Sequence, residues 1–451
     1  MIAAEAAATG FVIGRPRGRP LIGQTLDYLR DPIGYLTQTA RDHGDLVRLR
    51  LAHAVVYLIS HPTLIDQVLR QRADAMRKDI VTRALGPLVG QGLLTSEGEV
   101  WRAQRRLIQP AFGHQAVARY GAAMVALAER MLDEWTEGAT IDLHETMTRL
   151  TLAIVGKTLF DAEVGGEAEA VGHALEQVMR FYLGPGKWFP TLRYAPLPAA
   201  NAYRRAIAEI DRVIYQIIAD RRRTQTDRGD LLSRLLAATD ETGSRMDDRQ
   251  LRDECVTLFL AGHETTALAL TYALTLVARH PEVGERLRLE VRDVLGNRPP
   301  EAGDVPRLTY TEAVIRESMR LYPPAWGIAR EAIAEVEIGG HRMPPGTQFF
   351  AVQWIVHRDP RWFDQPEAFR PERWADDLVR RLPRCAYFPF GEGPRICIGN
   401  HFAMMEAVLV LASIVRRFRL EPIDSGPIRV IPSITLRPRD PLRVRVRPLK
   451  H

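Results

Sequence analysis

Apolar residues recur at helical spacing along most of the chain. Residues 114–135, 145–160, 202–223, 247–280, 309–321 and 399–418 carry apolar positions three and four apart, the pattern of a buried helix face. Strand-like text is short and local, at Leu46 to Tyr57, Ala334 to Phe350 and Ile428 to Val446. Gly339-Gly340 and Pro344-Pro345-Gly346 are turn signals inside the second of these. The proline- and arginine-rich text from Asp359 to Phe388 is full of aromatics and reads as irregular but packed. RRRTQTDRGD (221–230) reads as a mobile surface loop. No repeat or low-complexity block interrupts the pattern. The expected class is mainly α with small β-sheets: a single large helical domain plus a minor β-rich N-terminal region, over 1–451.

Composition narrows the class. The 451 residues are 46% hydrophobic and 26% charged, an ordinary globular balance with ample core material. Cys255, Cys385 and Cys397 are too few and too scattered for a disulfide framework or a zinc site, so a reducing cytoplasm is the simplest compartment. Net charge is +6, with both signs abundant. A mixed solvated surface and a basic face for an acidic partner both fit. No long single-sign run or aromatic-interleaved basic tract argues for nucleic acid. MIAAEAAATGFVIG, followed at once by RPRGRP, is shorter than the ~20 apolar residues of a membrane span, and its basic residues follow rather than precede the apolar text. No anchor and no export signal are expected.

The chemistry-bearing text is FGEGPRICIG (Phe390 to Gly399). Gly391 and Gly393 permit tight or left-handed backbone before Cys397, and Gly399 lets a bulky or flat group approach after it. The apolar helix that follows puts Cys397 near a helix N-terminus, which favours a thiolate. Arg395 is in reach of an anionic group beside the sulfur. Three readings fit the loop alone. A nucleophile is the weakest: a phosphatase-like loop wants arginine at 403, which is Ala403, and His401 alone makes no catalytic pair. An inert structural cysteine and a ligand to one metal in a large planar cofactor both stay open.

The spacing Phe390-x-x-Gly393-x-Arg395-x-Cys397-x-Gly399 resembles the haem-binding signature of the cytochrome P450 family, at all five fixed positions. The resemblance implies haem b, with Cys397 as the axial iron ligand and Phe390, Arg395 and Gly399 around the cofactor. Other text fits in order. Ala261-Gly262-His263-Glu264-Thr265-Thr266 resembles the family's oxygen-activation motif, in which Thr265 hydrogen-bonds dioxygen and Glu264 relays protons from solvent. Thr265 is also expected to bond back to the carbonyl of Ala261, and His263 is read as structural. Glu317 and Arg320 match the family's Glu-x-x-Arg pair, with Arg373 of FRPERW as third member of a buried network. Several other Glu-x-x-Arg spacings occur, and only this one is followed by LYPP and FRPERW. Trp101 and Arg105, four apart and so on one helix face, resemble the propionate-binding helix. Arg330 resembles the arginine of the strand after the Glu-x-x-Arg helix.

The resemblance runs from about Arg15 to Arg447 and implies a haem-thiolate monooxygenase. Two electrons would come from a separate ferredoxin and ferredoxin reductase, docked at basic residues such as Arg102, Arg106 and Arg384. The reaction expected is hydroxylation or epoxidation of a hydrophobic small molecule by a cytoplasmic monomer. Peroxide-driven peroxygenase chemistry and a non-turnover haem sensor are the alternatives. Members specialised for peroxide tend to lose the acid–alcohol pair, and here Glu264-Thr265 is present. Expected pocket residues are Leu260, Ala261, Ala325 and Trp326, with parts of 76–93 and 178–191. The last of these reads as a lid or a membrane-touching patch.

Overall fold

The apolar run at 247–280 forms the helix Asp248–Arg279, and the side chain of Asp247 caps its start by accepting from the backbone N–H of Gln250. This computed structural model describes residues 10–52, 54–161, 166–183, 190–239, 243 and 245–449. The chain forms two compact units. One comprises the residues up to Ile80 together with Arg316–Cys397, and the other Val81–Ile315 together with the residues from Ile398 onward.

In the second unit the long helix is buried on nearly every face from Leu251 to Leu260 and again from Thr266 to Ala278. The gap in that burial falls at Ala261, which is exposed, and at its part-exposed neighbours Gly262, His263 and Thr265. The helix Leu143–Phe160 packs along it, and Thr151 Oγ1 donates to the carbonyl of His263 at 2.9 Å. The helix Asn400–Arg417, buried from Met405 to Val415, lies against His114–Asp133. Strands Phe418–Pro422, Arg443–Pro448 and Thr140–Asp142 make a small antiparallel sheet, and Val430–Pro432 pairs with Leu436–Pro438 as a hairpin.

The first unit is built on a six-stranded mixed sheet. Its spatial order is Ile13–Gly14, Leu46–Leu51, Ala54–Ile59, Gln348–Ala351, Ile328–Ala332 and Met76–Lys78. Two pairings are parallel, and they join segments as far apart as Val56 and Gln348. The hairpin Val336–Ile338/His341–Met343 turns on Gly339 and Gly340 at φ +61° and +82°, as the paired glycines predict.

One expectation is corrected. The segment 221–230 is not free at its ends. Arg221 closes the helix Pro198–Thr224 as a buried residue, and its Nη1 donates to Asp230 Oδ1 at 2.7 Å and to Ser233 Oγ at 2.6 Å. Its Nη2 donates to the carbonyl of Phe160 at 3.0 Å. A guanidinium that deep must be paired, so only 225–229 is exposed loop. Among the described residues no helix is long and apolar enough to cross a membrane. Of the aromatic stretch 178–191, residues 178–183 end the helix Glu167–Leu183, and 184–189 lie outside the described residues.

Candidate functional site

The cysteine loop is shaped by its backbone. Gly391 and Gly393 have φ +77° and +73°. A Cβ on Gly393 would sit 2.1 Å from the carbonyl oxygen of Leu69, so this position excludes every side chain. Phe390 closes the loop by accepting from the N–H of Cys397 at 2.9 Å, and Gly391 N donates to Phe388 O at 2.9 Å. Cys397 is exposed, whereas Cys255 and Cys385 are buried, and burial pushes both of those thiols up. Only Cys397 of the three therefore presents an accessible sulfur. Arg395 ends the short turn Gly393–Arg395. Arg330 is 7% exposed on the strand Ile328–Ala332, opposite Lys78. The loop lies beside that strand, because a Cβ on Gly391 would meet Ile328 Cδ1 at 3.3 Å. An accessible thiol on a glycine-cleared loop, with arginines on the loop and on the adjoining strand, fits a flat iron-bearing group with carboxylates.

The loop is anchored to a buried charge hub. Glu317 and Arg320 have side chains with no exposed area. The Glu317 carboxylate accepts from Arg320 Nε at 2.9 Å and Nη2 at 2.8 Å, from Arg373 Nε at 2.9 Å, from Trp374 Nε1 at 3.0 Å and from the N–H of Arg370 at 2.9 Å. Arg320 in turn donates to the carbonyls of His357 at 2.8 Å, Pro366 at 2.6 Å and Ala368 at 3.0 Å. His357 Nε2 accepts from the N–H of Phe388 at 3.0 Å, and the Gln353 side-chain amide donates to Phe388 O. The hub thus holds the irregular segment 357–374 and, through His357, the start of the cysteine loop. Sequence reading found Glu317, Arg320 and Arg373. It missed Trp374 and His357, whose partners lie 57 and 31 residues away.

Thr265 Oγ1 donates to the carbonyl of Ala261 at 2.6 Å, the back-bond expected from the sequence. Glu264 is buried, and its Oε1 accepts from Thr435 Oγ1 at 2.8 Å and from Arg437 Nε. Burial pushes its carboxyl up, but the charge and hydrogen bond of Arg437 and the bond from Thr435 outweigh that and hold it below the ordinary range. Neither Arg437 nor Thr435 was expected. The tail carries an arginine at almost every second position from Arg437 to Arg447, and spacing there singles out none. Burial lowers His263 to about 4, which keeps the ring neutral and fits its structural reading.

Trp101 and Arg105 lie part-buried on one face of the helix Gly98–Ile108, with Gln104 buried between them. Gly399 precedes the helix Asn400–Arg417 as its N-cap. Leu260 is 8% exposed and adjoins the exposed Ala261. Ala325 is part-buried, and Trp326 is buried edge-on against Phe350, with ring centroids 5.4 Å apart.

Comparison with known proteins bears on this arrangement. The Cytochrome P450 family pattern matches residues 14–445. Cyclooctatin synthase of Streptomyces melanosporofaciens is 40% identical over 93% of this chain and 92% of its own. Cyclooctat-9-en-7-ol 5-monooxygenase of the same organism is 38% identical, over 90% and 89%. Pentalenene oxygenase of Streptomyces avermitilis is 34% identical over 97% of each. Among solved structures, the crystal structure of the cytochrome P450DA haem domain superposes with a TM-score of 0.88 at 29% identity, covering 98% of this chain and 99% of that one. A thiol-bearing loop, a buried Glu–Arg–Arg hub and an acid–alcohol pair in a long helix thus occur in a chain matched almost end to end: it belongs to the cytochrome P450 family, whose members use haem b as monooxygenases of hydrophobic substrates.

Proposed function

We propose that this monooxygenase hydroxylates a polycyclic terpenoid. The observation that carries the reading is the similarity to two relatives named as oxygenases of terpenes, the cyclooctat-9-en-7-ol 5-monooxygenase and the pentalenene oxygenase, each matched over at least 90% of this chain. The apolar residues around Ala261 support it, since Leu258 and Leu260, on the same helix, belong to a large apolar cluster. Burying a hydrocarbon skeleton there is favourable by about 25 cal/mol per Å² of apolar surface.

The proposed roles follow the geometry. Cys397 would hold the haem iron through its thiolate. Trp101, Arg105, Arg330 and Arg395 would offer N–H donors to the cofactor carboxylates. When bound, haem b supplies dioxygen activation and oxygen insertion. Thr265 offers a hydroxyl at the break in helix burial. Glu264 passes protons from solvent toward that hydroxyl and returns to its ionised state after each transfer. Leu260 and Ala261 would offer apolar surface to the substrate on the long helix, and Ala325 and Trp326 would do so ahead of the strand Ile328–Ala332. The whole chain works as one catalytic domain, a monomer in the cytoplasm. It takes electrons from a separate ferredoxin that docks at basic residues such as Arg102, Arg106 and Arg384, each of them exposed.

The test is a ligand screen read by the low-to-high-spin Soret shift of the ferric enzyme. It is followed by turnover with a surrogate ferredoxin and reductase and product identification. Cyclic terpenes and their mono-alcohols should give the shift and a product one oxygen heavier. If fatty acids or macrolides shift the band and no terpenoid does, the substrate class is wrong.

A further inference from the structure

The Glu264 carboxylate is fastened to a hairpin near the C-terminus. In that hairpin Ile431 pairs with Arg437 and Pro432 with Leu436, and Ser433 N donates to Thr435 O at 3.0 Å across the turn. Thr435 and Arg437, two residues apart, both donate to Glu264 Oε1. The residue between them, Leu436, accepts at its carbonyl from the buried hydroxyl of Tyr272 at 2.8 Å. Glu264 and Tyr272 are eight residues apart on one helix, about 12 Å along its axis. The hairpin is therefore fixed to the long helix at two points. Its turn residue Ile434 packs against the apolar cluster that contains Leu258 and Leu260. One short segment thus packs an apolar residue, Ile434, into the core cluster and holds the acid after Ala261 through Thr435 and Arg437.

The surrounding charges make Arg437 decisive. The other ionisable groups acting on this corner are His263, His144, Asp142 and, more weakly, Glu176. Desolvation lowers both histidines, so neither competes as a cation for the carboxylate. Arg437 is 18% exposed in its side chain, against 7% for Glu264, so the guanidinium reaches from the buried acid toward water. An acid that takes protons from solvent needs its carboxylate held in one orientation and reachable by water. A guanidinium and a hydroxyl on one oxygen supply the first, and the part-exposed arginine marks a route for the second.

We propose that Arg437 and Thr435 are positioning residues for the Glu264 proton relay, and that the hairpin bearing them, tied to the long helix at Glu264 and Tyr272, holds that acid in one setting. The proposal rests on the relay role given to Glu264 above.

Arg437→Gln, Arg437→Lys, Thr435→Val and Glu264→Gln in the full-length holoenzyme test it. In the first readout, hydrogen–deuterium exchange in peptides covering 428–440 should rise in Arg437→Gln and in Glu264→Gln, since each cuts one attachment. In the second, haem content, reduced-CO spectrum and substrate-induced spin shift should stay as in the parent in Arg437→Gln, while product formed per reducing equivalent falls on the order of tenfold. That is less than the ~10²-fold or more of losing an acid catalyst outright. Arg437→Lys should recover part of the loss, and Thr435→Val, which keeps the side-chain shape, should show a smaller loss of the same kind. Unchanged exchange at 428–440, or full coupling in both Arg437→Gln and Thr435→Val, overturns the proposal. Full coupling in Glu264→Gln overturns the relay role itself, whereas impaired Glu264→Gln beside a fully coupled Arg437→Gln removes only the positioning role.

Discussion

Replacing Glu317 by Gln tests whether the buried hub holds the cysteine loop. The carboxylate accepts five hydrogen bonds, two from Arg320, one from Arg373, one from Trp374 and one from the backbone of Arg370. The amide keeps the shape but carries no charge, and it presents a donor group to guanidinium donors. Two arginine side chains, 0% and 8% exposed, then lack their counter-charge. Breaking a buried ion pair by removing one partner costs about 3–5 kcal/mol, and the total stability of a domain is about 5–15 kcal/mol. Taking ~4 kcal/mol, the folded-to-unfolded ratio falls about a thousandfold. Guanidinium unfolding should be followed both by far-ultraviolet circular dichroism and by the Soret band. The Soret midpoint should shift to lower denaturant, and haem content after purification should drop, because Arg320 and His357 connect the hub to the loop start. Glu99→Gln removes a pair with Arg102 whose side chains are 87% and 51% exposed, and it serves as a control expected to behave like the parent. An unshifted Soret midpoint and full haem content in Glu317→Gln would refute the reasoning.

Other outcomes follow from the same contacts. Gly393→Ala should lower haem content and stability, since φ +73° and a Cβ 2.1 Å from Leu69 O leave no room; normal haem loading would show that the loop can move. Thr265→Ala should keep haem and the reduced-CO spectrum yet divert reducing equivalents to peroxide, and fully coupled product formation would remove its role. Glu254 is buried, and desolvation raises its carboxyl to about 8. The unfolded chain therefore loses that proton near the ordinary carboxyl range while the folded chain keeps it up to about 8. The contribution of this group to stability falls as pH rises through that window, by up to ~1.4 kcal/mol per pH unit. Glu254→Gln should flatten the decline measured by denaturant unfolding between those limits, and an unchanged slope would contradict the assignment.

The helices were legible because each writes its buried face within one segment, as 247–280 does for Asp248–Arg279. The bond of Thr265 to Ala261 was legible for the same reason, since it joins positions four apart. The glycine pair 339–340 announced its hairpin. The sheet was harder: Met76–Lys78 and Ile328–Ala332 are too short to show alternation, and they pair across some 250 residues. The charge segment 221–230 looked like solvated loop, because composition alone does not reveal that Arg221 is buried against Asp230. In the site, motif spacing brought out Glu317, Arg320, Arg373, Glu264 and Cys397. The partners that tune them, Arg437, Thr435, Trp374 and His357, sit where chain distance erases any local signal.

The Arg221–Asp230 clamp also says where this enzyme can be lengthened. Its two ends are already held at 2.7 Å, so the loop 225–229 closes whatever its contour length. Doubling a flexible loop adds only about 0.6 kcal/mol of closure entropy. An affinity tag or a tethered electron donor spliced between Gln225 and Gly229 would leave the folded chain on both sides under the same restraint. The stretch that composition marked as the loosest is instead a port with a fixed frame.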